Sequence, residues 1–291
     1  MKLYAPSNIK KILQENDLRP TKSLGQNFLA DKNIIDNIIQ KAGIGQRDLV
    51  IEIGPGLGVI TRELCERAGM VLAVEIDRQL IPILDEELQE YTNKKIIQGD
   101  ILKVDLLEHI HNTSLPGGES PEEVKVVANL PYYITTPILM RLLEDRLPLA
   151  SITVMMQKEV AERLLAKPGT KEYGAITLAV QYYGECNILL SVPKEVFVPQ
   201  PKVDSTVVQI RIHPQPRYPE VEEAVLFGLI KAAFGKRRKT LLNALTGVFG
   251  LSKEEIKSLL ETAGIQENRR GETLSLDEYA GLSQIVRKTL S

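Results

Sequence analysis

Apolar positions follow two different periods along the chain from residue 49 onward. Short β-branched runs at 49–53, 71–76, 95–98, 124–129 and 151–157 predict buried strands. Between several of these runs lie stretches with the 3.6-residue period of amphipathic helices, at 59–68, 78–90 and 135–145. Strands that alternate with helices form βαβ units on a parallel sheet. The pattern therefore predicts an α/β fold with a doubly wound, mostly parallel sheet.

The pattern changes after residue 184. Extended runs at 187–192 and 205–212, separated by a proline-rich segment, predict an antiparallel edge of the sheet. Beyond the breakers at 213–219, helical periodicity recurs at 221–234, 238–249, 252–264 and 275–288, with S-x-x-E capping boxes that begin at Ser252 and Ser275. We therefore predict a first domain over 1–212 and a small all-helical domain over 213–291. The turn-rich, acidic insert at 111–123 is expected to be a surface loop.

Composition and charge narrow the class of protein. The 291 residues are 43% hydrophobic and 25% charged, which is ordinary for a globular protein. The opening residues lack the apolar core of a signal peptide, and no apolar run is long enough to span a bilayer, so we expect a cytoplasmic protein. Cys65 and Cys186 both lie in apolar-patterned segments and are interpreted as small buried hydrophobes.

A net charge of −2 gives the chain no global attraction to nucleic acid, so any RNA-binding surface has to be local. Residues 231–240 provide such a run, with five basic side chains and no acidic one: Lys231, Lys236, Arg237, Arg238 and Lys239. The alternative is a solvated helix face, because short basic runs are common on protein surfaces.

A glycine-rich turn follows the first predicted strand in IEIGPGLG (51–58), at the sheet edge where α/β proteins bind ligands. Gly54, Gly56 and Gly58 do not match the dinucleotide pattern G-x-G-x-x-G, because Val59 stands where its last glycine would be. Glu75 ends the second strand, where it can accept hydrogen bonds from ribose hydroxyls, and Asp100 ends the third, where it can receive an adenine amine. Together these residues fit a nucleoside without phosphates, such as S-adenosylmethionine. The glycines alone are also compatible with a tight strand-to-helix turn that binds nothing.

The sequence Asn129-Leu130-Pro131-Tyr132 directly follows the fourth predicted strand. An adenine amine is a weak nucleophile because its lone pair is delocalised into the ring. Acceptors from the Asn129 side chain and the Leu130 carbonyl would hold its two N–H groups and aim the lone pair at a sulfonium methyl group. Tyr132 would stack on an extruded base. A simple turn is the alternative, since Asn and Pro both favour turns.

These motifs resemble the ribosomal RNA adenine dimethyltransferase family of the KsgA (RsmA) type, nearly end to end. Besides EIGPGLG and NLPY, the resemblance rests on SLGQNFL (23–29), FVPQPKVDS (197–205) and FGKRRKTL (234–241). It implies a Rossmann-like methyltransferase that transfers methyl groups from S-adenosylmethionine to N6 of two adjacent adenines near the 3′ end of 16S rRNA. The activity would be coupled to small-subunit biogenesis.

The resemblance also implies residue roles. Gln26, Asn27 and Leu29 would line the methionine side of the cofactor pocket, and Phe197 would pack on the target base opposite Tyr132. Cofactor contacts are expected from Gln26, Asn27, Leu29, Gly54, Gly56, Gly58, Glu75, Ile76, Asp100, Ile101 and Asn129. Catalytic roles are expected for Asn129, Leu130, Pro131, Tyr132 and Phe197, and RNA contacts for Lys236, Arg237, Arg238 and Lys239.

Other functions remain as alternatives. The large-subunit rRNA methyltransferases of antibiotic resistance share the glycines and a similar Asn-x-Pro-Tyr motif, whereas a nicotinamide dehydrogenase is disfavoured by the glycine spacing. A metal enzyme is poorly supported, because His109, His111 and His213 have no Cys or carboxylate partners at ligand spacing. We expect a monomer acting on 16S rRNA in the immature small subunit, without metal or membrane. Whether methylation or clamping of immature rRNA is the main role stays open.

Overall fold

The computed structural model describes residues 3–21 and 24–290, which pack as two units. The first comprises Met1–Ala161 and Asn187–Ile212, and the second comprises Glu162–Cys186 and His213–Ser291. A single boundary after residue 212 was predicted, but the segment 162–186 also packs with the helical unit. The reason is aromatic packing within that unit, where Tyr182 and Tyr183 lie 5.4 and 5.8 Å from Phe227, measured between ring centroids.

The described residues form twelve α-helices and nine strands. The helices are α1 (Pro6–Glu15), α2 (Lys32–Ala42), α3 (Val59–Arg67), α4 (Ile81–Glu87), α5 (Leu106–His111), α6 (Thr135–Glu144), α7 (Lys158–Leu164), α8 (Ala175–Tyr183), α9 (Glu223–Gly235), α10 (Leu241–Leu245), α11 (Lys253–Thr262) and α12 (Leu276–Leu290). The strands are β1 (Phe28–Leu29), β2 (Asp48–Ile53), β3 (Met70–Glu75), β4 (Lys94–Gln98), β5 (Glu123–Asn129), β6 (Leu149–Gln157), β7 (Gly184–Val192), β8 (Phe197–Val198) and β9 (Ser205–Ile212).

Seven strands form one sheet in the order β4-β3-β2-β5-β6-β9-β7. The pairs from β4 to β6 are parallel, and β9 runs antiparallel to β6. This is the doubly wound, mostly parallel sheet with an antiparallel edge that the apolar pattern predicts, so the fold class is confirmed. The chain builds outward from β2 to β4 and then returns to the other side of β2 as β5. Ligands of α/β proteins bind at such a reversal.

Strands β2 and β3 are buried along nearly their whole length because helices cover both faces of a parallel sheet. The apolar faces of α2 and α3 supply part of this cover through Ile35, Ile39 and Leu64. The short strands β1 and β8 pair separately, with Leu29 opposite Phe197. The residues of the SLGQNFL motif are thereby brought beside the later FVPQPKVDS segment; Ser23, the first residue of that motif, lies outside the described residues.

The second unit is helical from Glu223 onward, as predicted, with one local difference. The run 238–249, predicted to be a single helix, contains only the short α10 and a 3-10 turn at Val248–Gly250. The interruption has a backbone cause, because Gly247 and Phe249 both adopt positive φ angles of 87° and 55°. Both predicted capping boxes are present: Glu255 N donates to Ser252 Oγ over 3.3 Å, and Glu278 N donates to Ser275 Oγ over 3.2 Å.

Cys65 is buried and Cys186 half-buried, and neither forms a disulfide. Burial raises the pKa of each thiol to about 12, so the neutral form predominates at neutral pH. Over 3–21 and 24–290, none of the helices is long and apolar enough to cross a membrane.

A buried lysine holds together the ends of β2 and β5 that lie away from the glycine turn. Lys125 Nζ donates to Gly43 O and to Asp48 Oδ2, each over 2.7 Å, and lies 2.8 Å from Glu123 Oε2. Asp48 Oδ2 also accepts from Gly45 N over 2.7 Å. Lys125 and Asp48 are 8% and 5% exposed, so little water would replace either partner.

We predict that Lys125→Ala lowers the free energy of unfolding by about 3–5 kcal/mol, because it strands the buried carboxylate of Asp48. The matched control is Lys11→Ala, which removes an exposed 3.6 Å ion pair with Glu15 and should cost less than about 1 kcal/mol. Urea unfolding measures both values. Equal small losses in the two variants would show that the Lys125 cluster does not stabilise the sheet.

Candidate active site

The site lies where the chain reverses direction across the sheet, at the carboxyl ends of β2 and β5. Ile53 pairs with Ala128, so Gly54 and Asn129 leave neighbouring strands side by side. A cavity opens at this edge, within the first unit. The glycine turn forms one wall and the NLPY turn another, as expected for a ligand site at a point of strand reversal.

Most of the predicted site residues line this cavity. They are Gln26, Asn27, Leu29, Gly54, Gly56, Glu75, Ile76, Asp100, Ile101, Asn129, Leu130, Pro131 and Tyr132. Gly58 and Phe197 are not among its lining residues. The topology therefore gathers segments as distant in sequence as 26–29 and 129–132, while the contact of each residue with a ligand stays a prediction.

The three glycines of the turn do different things. Gly54 and Gly56 have positive φ angles of 69° and 61°, which side chains rarely adopt. A Cβ on Gly56 would come within 3.1 Å of the Phe28 ring. A side chain at position 56 would therefore obstruct the close approach of the 26–29 segment to this turn. Gly58 precedes α3, and a Cβ there would meet Leu84 at 3.1 Å. Gly58 therefore serves helix packing in this structure rather than the cavity wall.

Glu75 is held by backbone donors at the end of β3. Its Oε2 accepts from Gly56 N over 3.1 Å and its Oε1 accepts from Asp77 N over 2.8 Å. The residue is 4% exposed, and burial raises the pKa of its carboxyl above the ordinary value despite these donors. Asp77 extends the network, since its Oδ2 accepts from Gln26 Nε2 over 2.7 Å. Gln26 is thus linked to Glu75 through Asp77, whose carboxylate accepts from Gln26 and whose backbone amide donates to Glu75.

Glu52 is a buried carboxylate in the cavity wall that was not among the predicted site residues. It is 2% exposed near the carboxyl end of β2, and its Oε2 has no hydrogen-bond partner within the described part of the chain. Burial, reinforced by the nearby carboxylate of Glu75, raises the pKa of Glu52 to about 8. An unpartnered buried carboxyl is costly unless a ligand satisfies it. In the sequence, Glu52 is distinguished as the single charged residue of the apolar run LVIEI.

Asp100 lies on a tight turn after β4. Its Oδ1 accepts from Leu102 N over 3.0 Å, and its backbone oxygen accepts from the amides of Lys103 and Val104. Arg141 clamps the same turn from α6, donating from Nη2 to Val104 O over 2.6 Å and from Nη1 to Ile101 O. Because α6 begins just after the NLPY turn, Arg141 joins the Asp100 turn to the helix that follows the NLPY turn. No pattern in the sequence distinguishes Arg141 from other basic helical residues, so this role could not be predicted.

The amide of Asn129 has a defined orientation. Its Nδ2 donates to Asn27 O over 3.1 Å, which leaves Oδ1 to accept from another group. The following turn is closed by two bonds to Pro131 O, from Ile134 N over 3.1 Å and from Thr135 Oγ1 over 3.0 Å. The hydrogen bond from Asn129 Nδ2 to Asn27 O therefore orients Asn129 Oδ1, the atom expected to accept from the target amine.

Tyr132 and Phe197 differ in their access to the cavity. Tyr132 is half-buried, and its hydroxyl lies 2.8 Å from Ser205 Oγ on β9. Burial raises the pKa of this phenol above its ordinary value, so it stays neutral. Phe197 is 3% exposed and packs in the core beside β1. Packing of Phe197 against a target base would therefore require its side chain to move into the cavity.

The basic run belongs to the second unit and mostly follows α9 rather than lying on it. Arg237, Arg238 and Lys239 are exposed in the turn between α9 and α10. Arg237 already donates to Tyr173 O with Nη2 and lies over the Phe234 ring at 5.8 Å. Among the described residues, the side chains of Arg238 and Lys239 have neither a hydrogen bond nor an ion pair. These two cations are the most available to a phosphate.

The charge of the cavity separates the candidate ligands. Glu52, Glu75 and Asp100 all line it, and the described lining residues include no Lys or Arg. Ionised carboxyls at this position would repel the pyrophosphate of a dinucleotide, and a bound cation would favour ionisation of the buried Glu52. The set therefore fits the ammonium, sulfonium and ribose hydroxyls of S-adenosylmethionine. Within 3–21 and 24–290, no group of three or more His, Cys, Asp or Glu side chains is arranged to hold a metal ion.

This chain is similar to known proteins both in sequence and in structure. The family described as ribosomal RNA adenine dimethylase matches residues 18–288. Ribosomal RNA small subunit methyltransferase A of Alkaliphilus oremlandii is 51% identical over 290 residues, 99% of this chain and 99% of that protein. A dimethyladenosine transferase from Plasmodium falciparum superposes with a TM-score of 0.73 at 25% identity, covering 90% of this chain and 98% of that one. The 23S rRNA methyltransferase ErmE superposes with a TM-score of 0.63 at 25% identity, covering 89% and 99%.

The match extends over nearly the whole chain and includes both the cavity and the basic run. It agrees with the expectation from the motifs about the enzyme class and the methyl donor. The chain belongs to the ribosomal RNA adenine dimethylase family of S-adenosylmethionine-dependent methyltransferases.

Proposed function

We propose that this enzyme transfers methyl groups from S-adenosylmethionine to N6 of two adjacent adenines near the 3′ end of 16S rRNA. The proposal rests on the cavity, in which a carboxylate-lined pocket lies beside the Asn129 amide. The Oδ1 atom of that amide is oriented to accept a hydrogen bond. The small-subunit target is supported by the 51% identity to a small subunit methyltransferase, against 25% to ErmE, a large-subunit enzyme.

The methyl donor would occupy the side of the cavity lined by carboxylates. Glu75, held by Gly56 N and Asp77 N, would accept from the ribose hydroxyls, and Asp100 from the adenine amine of the donor. Glu52 would supply its unpartnered oxygen to the cationic end. When bound, the donor would supply a methyl group activated by its sulfonium charge. The S–CH3 bond would break as the N–CH3 bond forms, with S-adenosylhomocysteine leaving and the methylated nitrogen losing one proton to water.

The acceptor amine would enter beside Asn129. Asn129 Oδ1 and the Leu130 carbonyl would each accept one N–H, which favours a pyramidal nitrogen and directs its lone pair at the methyl group. Tyr132, held by Ser205, would stack on the extruded base. The same geometry serves the second transfer, since the monomethylated amine still has one N–H to donate.

The helical unit would hold the RNA. Arg238 and Lys239 present cations that bind phosphate without reading sequence. We extend the proposal to an immature small subunit as the partner, a monomeric enzyme and a cytoplasmic location, the compartment of the ribosomal substrate. Clamping of immature rRNA as a second role would use the same cations, and no feature of the cavity favours it over methylation.

We predict that Asn129→Ala lowers kcat by about 30-fold to 1000-fold at saturating donor, equivalent to about 2–4 kcal/mol of lost transition-state stabilisation. RNA affinity should change little, because the substitution removes no charge. Asn37→Ala, at an exposed asparagine of α2, is the control and should keep full activity. Single-turnover methylation followed by mass analysis of the adenines measures the rate. Near-normal turnover by a folded Asn129→Ala variant would refute the role assigned to this amide.

A second prediction concerns pH and the free energy of unfolding. The pKa of Glu52 is about 8 in the folded protein and close to the ordinary 4.5 when unfolded, so the folded state binds a proton that the unfolded state has lost. This group therefore lowers stability progressively as pH rises from about 4.5 to about 8. Glu52→Gln cannot ionise, so the ligand-free variant should lose less stability than the wild type between pH 5.5 and pH 8.

Urea unfolding at the two pH values measures this difference. Glu119→Gln, at an exposed position in the 111–123 insert, is the control and should follow the wild-type pH dependence. The variant Glu52→Gln should also bind S-adenosylmethionine more weakly, because the cationic ligand favours the ionised form of Glu52 and an amide cannot ionise. Parallel stability curves for Glu52→Gln and wild type would contradict the raised pKa.

The third prediction tests the helical unit. Arg238→Ala with Lys239→Ala should weaken rRNA binding and reduce the slope of log affinity against log salt by about one unit for each phosphate interaction that is removed. Affinity for S-adenosylmethionine should stay unchanged. The control of equal charge is Lys253→Ala with Lys288→Ala, at exposed positions of α11 and α12. If both double variants show the same salt dependence as wild type, the run is only a solvated surface.

A further inference from the structure

Tyr133 is a large aromatic side chain that is left exposed on the wall of the cavity. It is 58% exposed and lines the same cavity as Asn129 and Tyr132. Within the described residues its hydroxyl has no hydrogen-bond partner. Its ring packs against the turn at Gly25, where a Cβ would lie 3.4 Å from the ring carbon Cδ1. The ring is therefore supported from one side and open to solvent on another.

Its neighbour Tyr132 is placed differently. Tyr132 is half-buried and tied through its hydroxyl to Ser205, which fixes its ring inside the site. Two consecutive aromatic residues thus present one ring within the cavity and one at its solvent-exposed rim. A single extruded base accounts for the inner ring only.

The other exposed apolar side chain on the cavity wall marks the donor side. Ile76 is 48% exposed and directly follows Glu75, whose carboxylate faces the expected ribose. Tyr133 follows the acceptor motif instead, on the turn that leads into α6. Its position associates it with the RNA rather than with the methyl donor.

We propose that Tyr133 is a second nucleobase-binding subsite, in which its ring stacks on the nucleotide next to the adenine being methylated. This inference rests on the proposed function. Extrusion of one adenine removes the stacking partner of its neighbour, and an aromatic ring at the rim replaces that partner. With two adjacent adenines as substrate, the subsite holds one while the other occupies the cavity.

The subsite can be tested by pairing variants of Tyr133 with two RNAs. Both are 16S rRNAs assembled into small subunits, and they differ only beside the acceptor adenine, where one carries the second adenine and the other an abasic nucleotide. Tyr133→Leu keeps an apolar side chain without the flat ring, and Tyr133→Phe keeps the ring as the matched control. The readouts are kcat/KM for the acceptor adenine and the equilibrium affinity for S-adenosylmethionine.

On the RNA with both adenines, Tyr133→Leu should lower kcat/KM by about 5-fold to 150-fold, the range for loss of one base–aromatic stack, and Tyr133→Phe should stay within about 3-fold of wild type. On the abasic RNA, wild type and Tyr133→Leu should be equal within about 2-fold, because the stacked base is already missing.

Three outcomes would overturn the proposal: an equal loss by Tyr133→Leu on both RNAs, no loss on either, or a weakened affinity for S-adenosylmethionine that accounts for the loss. The last would assign Tyr133 to the donor pocket. If wild type methylates no adenine in either RNA, the proposed function itself fails, and that result is distinct from the other three.

Discussion

The parallel pairing of β2 with β5 is the constraint on which the site depends. Backbone hydrogen bonds set Ile53 opposite Ala128, so Gly54, which directly follows β2, lies beside Asn129, the last residue of β5. The carboxylate-lined pocket and the Asn129 amide are thus held at a separation fixed by the sheet. Lys125 stabilises the opposite ends of the same two strands, so the pairing is braced where no chemistry occurs. Positioning is the main contribution expected of a protein whose methyl donor is already activated.

The cavity contains buried carboxyl groups that cost stability in the absence of ligand. Glu52 and Glu75 are both buried beside each other, and one oxygen of Glu52 has no partner in the described structure. A core built only for stability would place an apolar residue at position 52. Retention of a carboxyl there is typical of binding sites, where groups that destabilise the free protein are satisfied by the ligand. The bracing by Lys125, Arg141 and the Asn129–Asn27 bond offsets part of this cost.

Much of this arrangement was predictable from the chain alone, because its signals are local. The alternation of strands and helices along the chain, the glycine turn and the acids that end β3 and follow β4 can be predicted from periodicity and from residue type. The NLPY motif was predictable for the same reason. What sequence could not show depends on tertiary contacts: the burial of Phe197, the role of Gly58 in packing against Leu84, and the membership of residues 162–186 in the helical unit. The clamp from Arg141 and the exposure of Tyr133 were hidden too, since each depends on how α6 and its preceding turn meet segments distant in sequence.

The amide beside the carboxylate-lined pocket is proposed to direct methyl groups to adenine nitrogen in small-subunit rRNA. The most direct test is incubation of the enzyme with isotopically labelled S-adenosylmethionine and both ribosomal subunits, followed by mass analysis of the modified nucleosides and their positions. We expect labelled N6,N6-dimethyladenine at two adjacent positions near the 3′ end of 16S rRNA and none in 23S rRNA. Label on another atom, on another base or in 23S rRNA would contradict this mechanism.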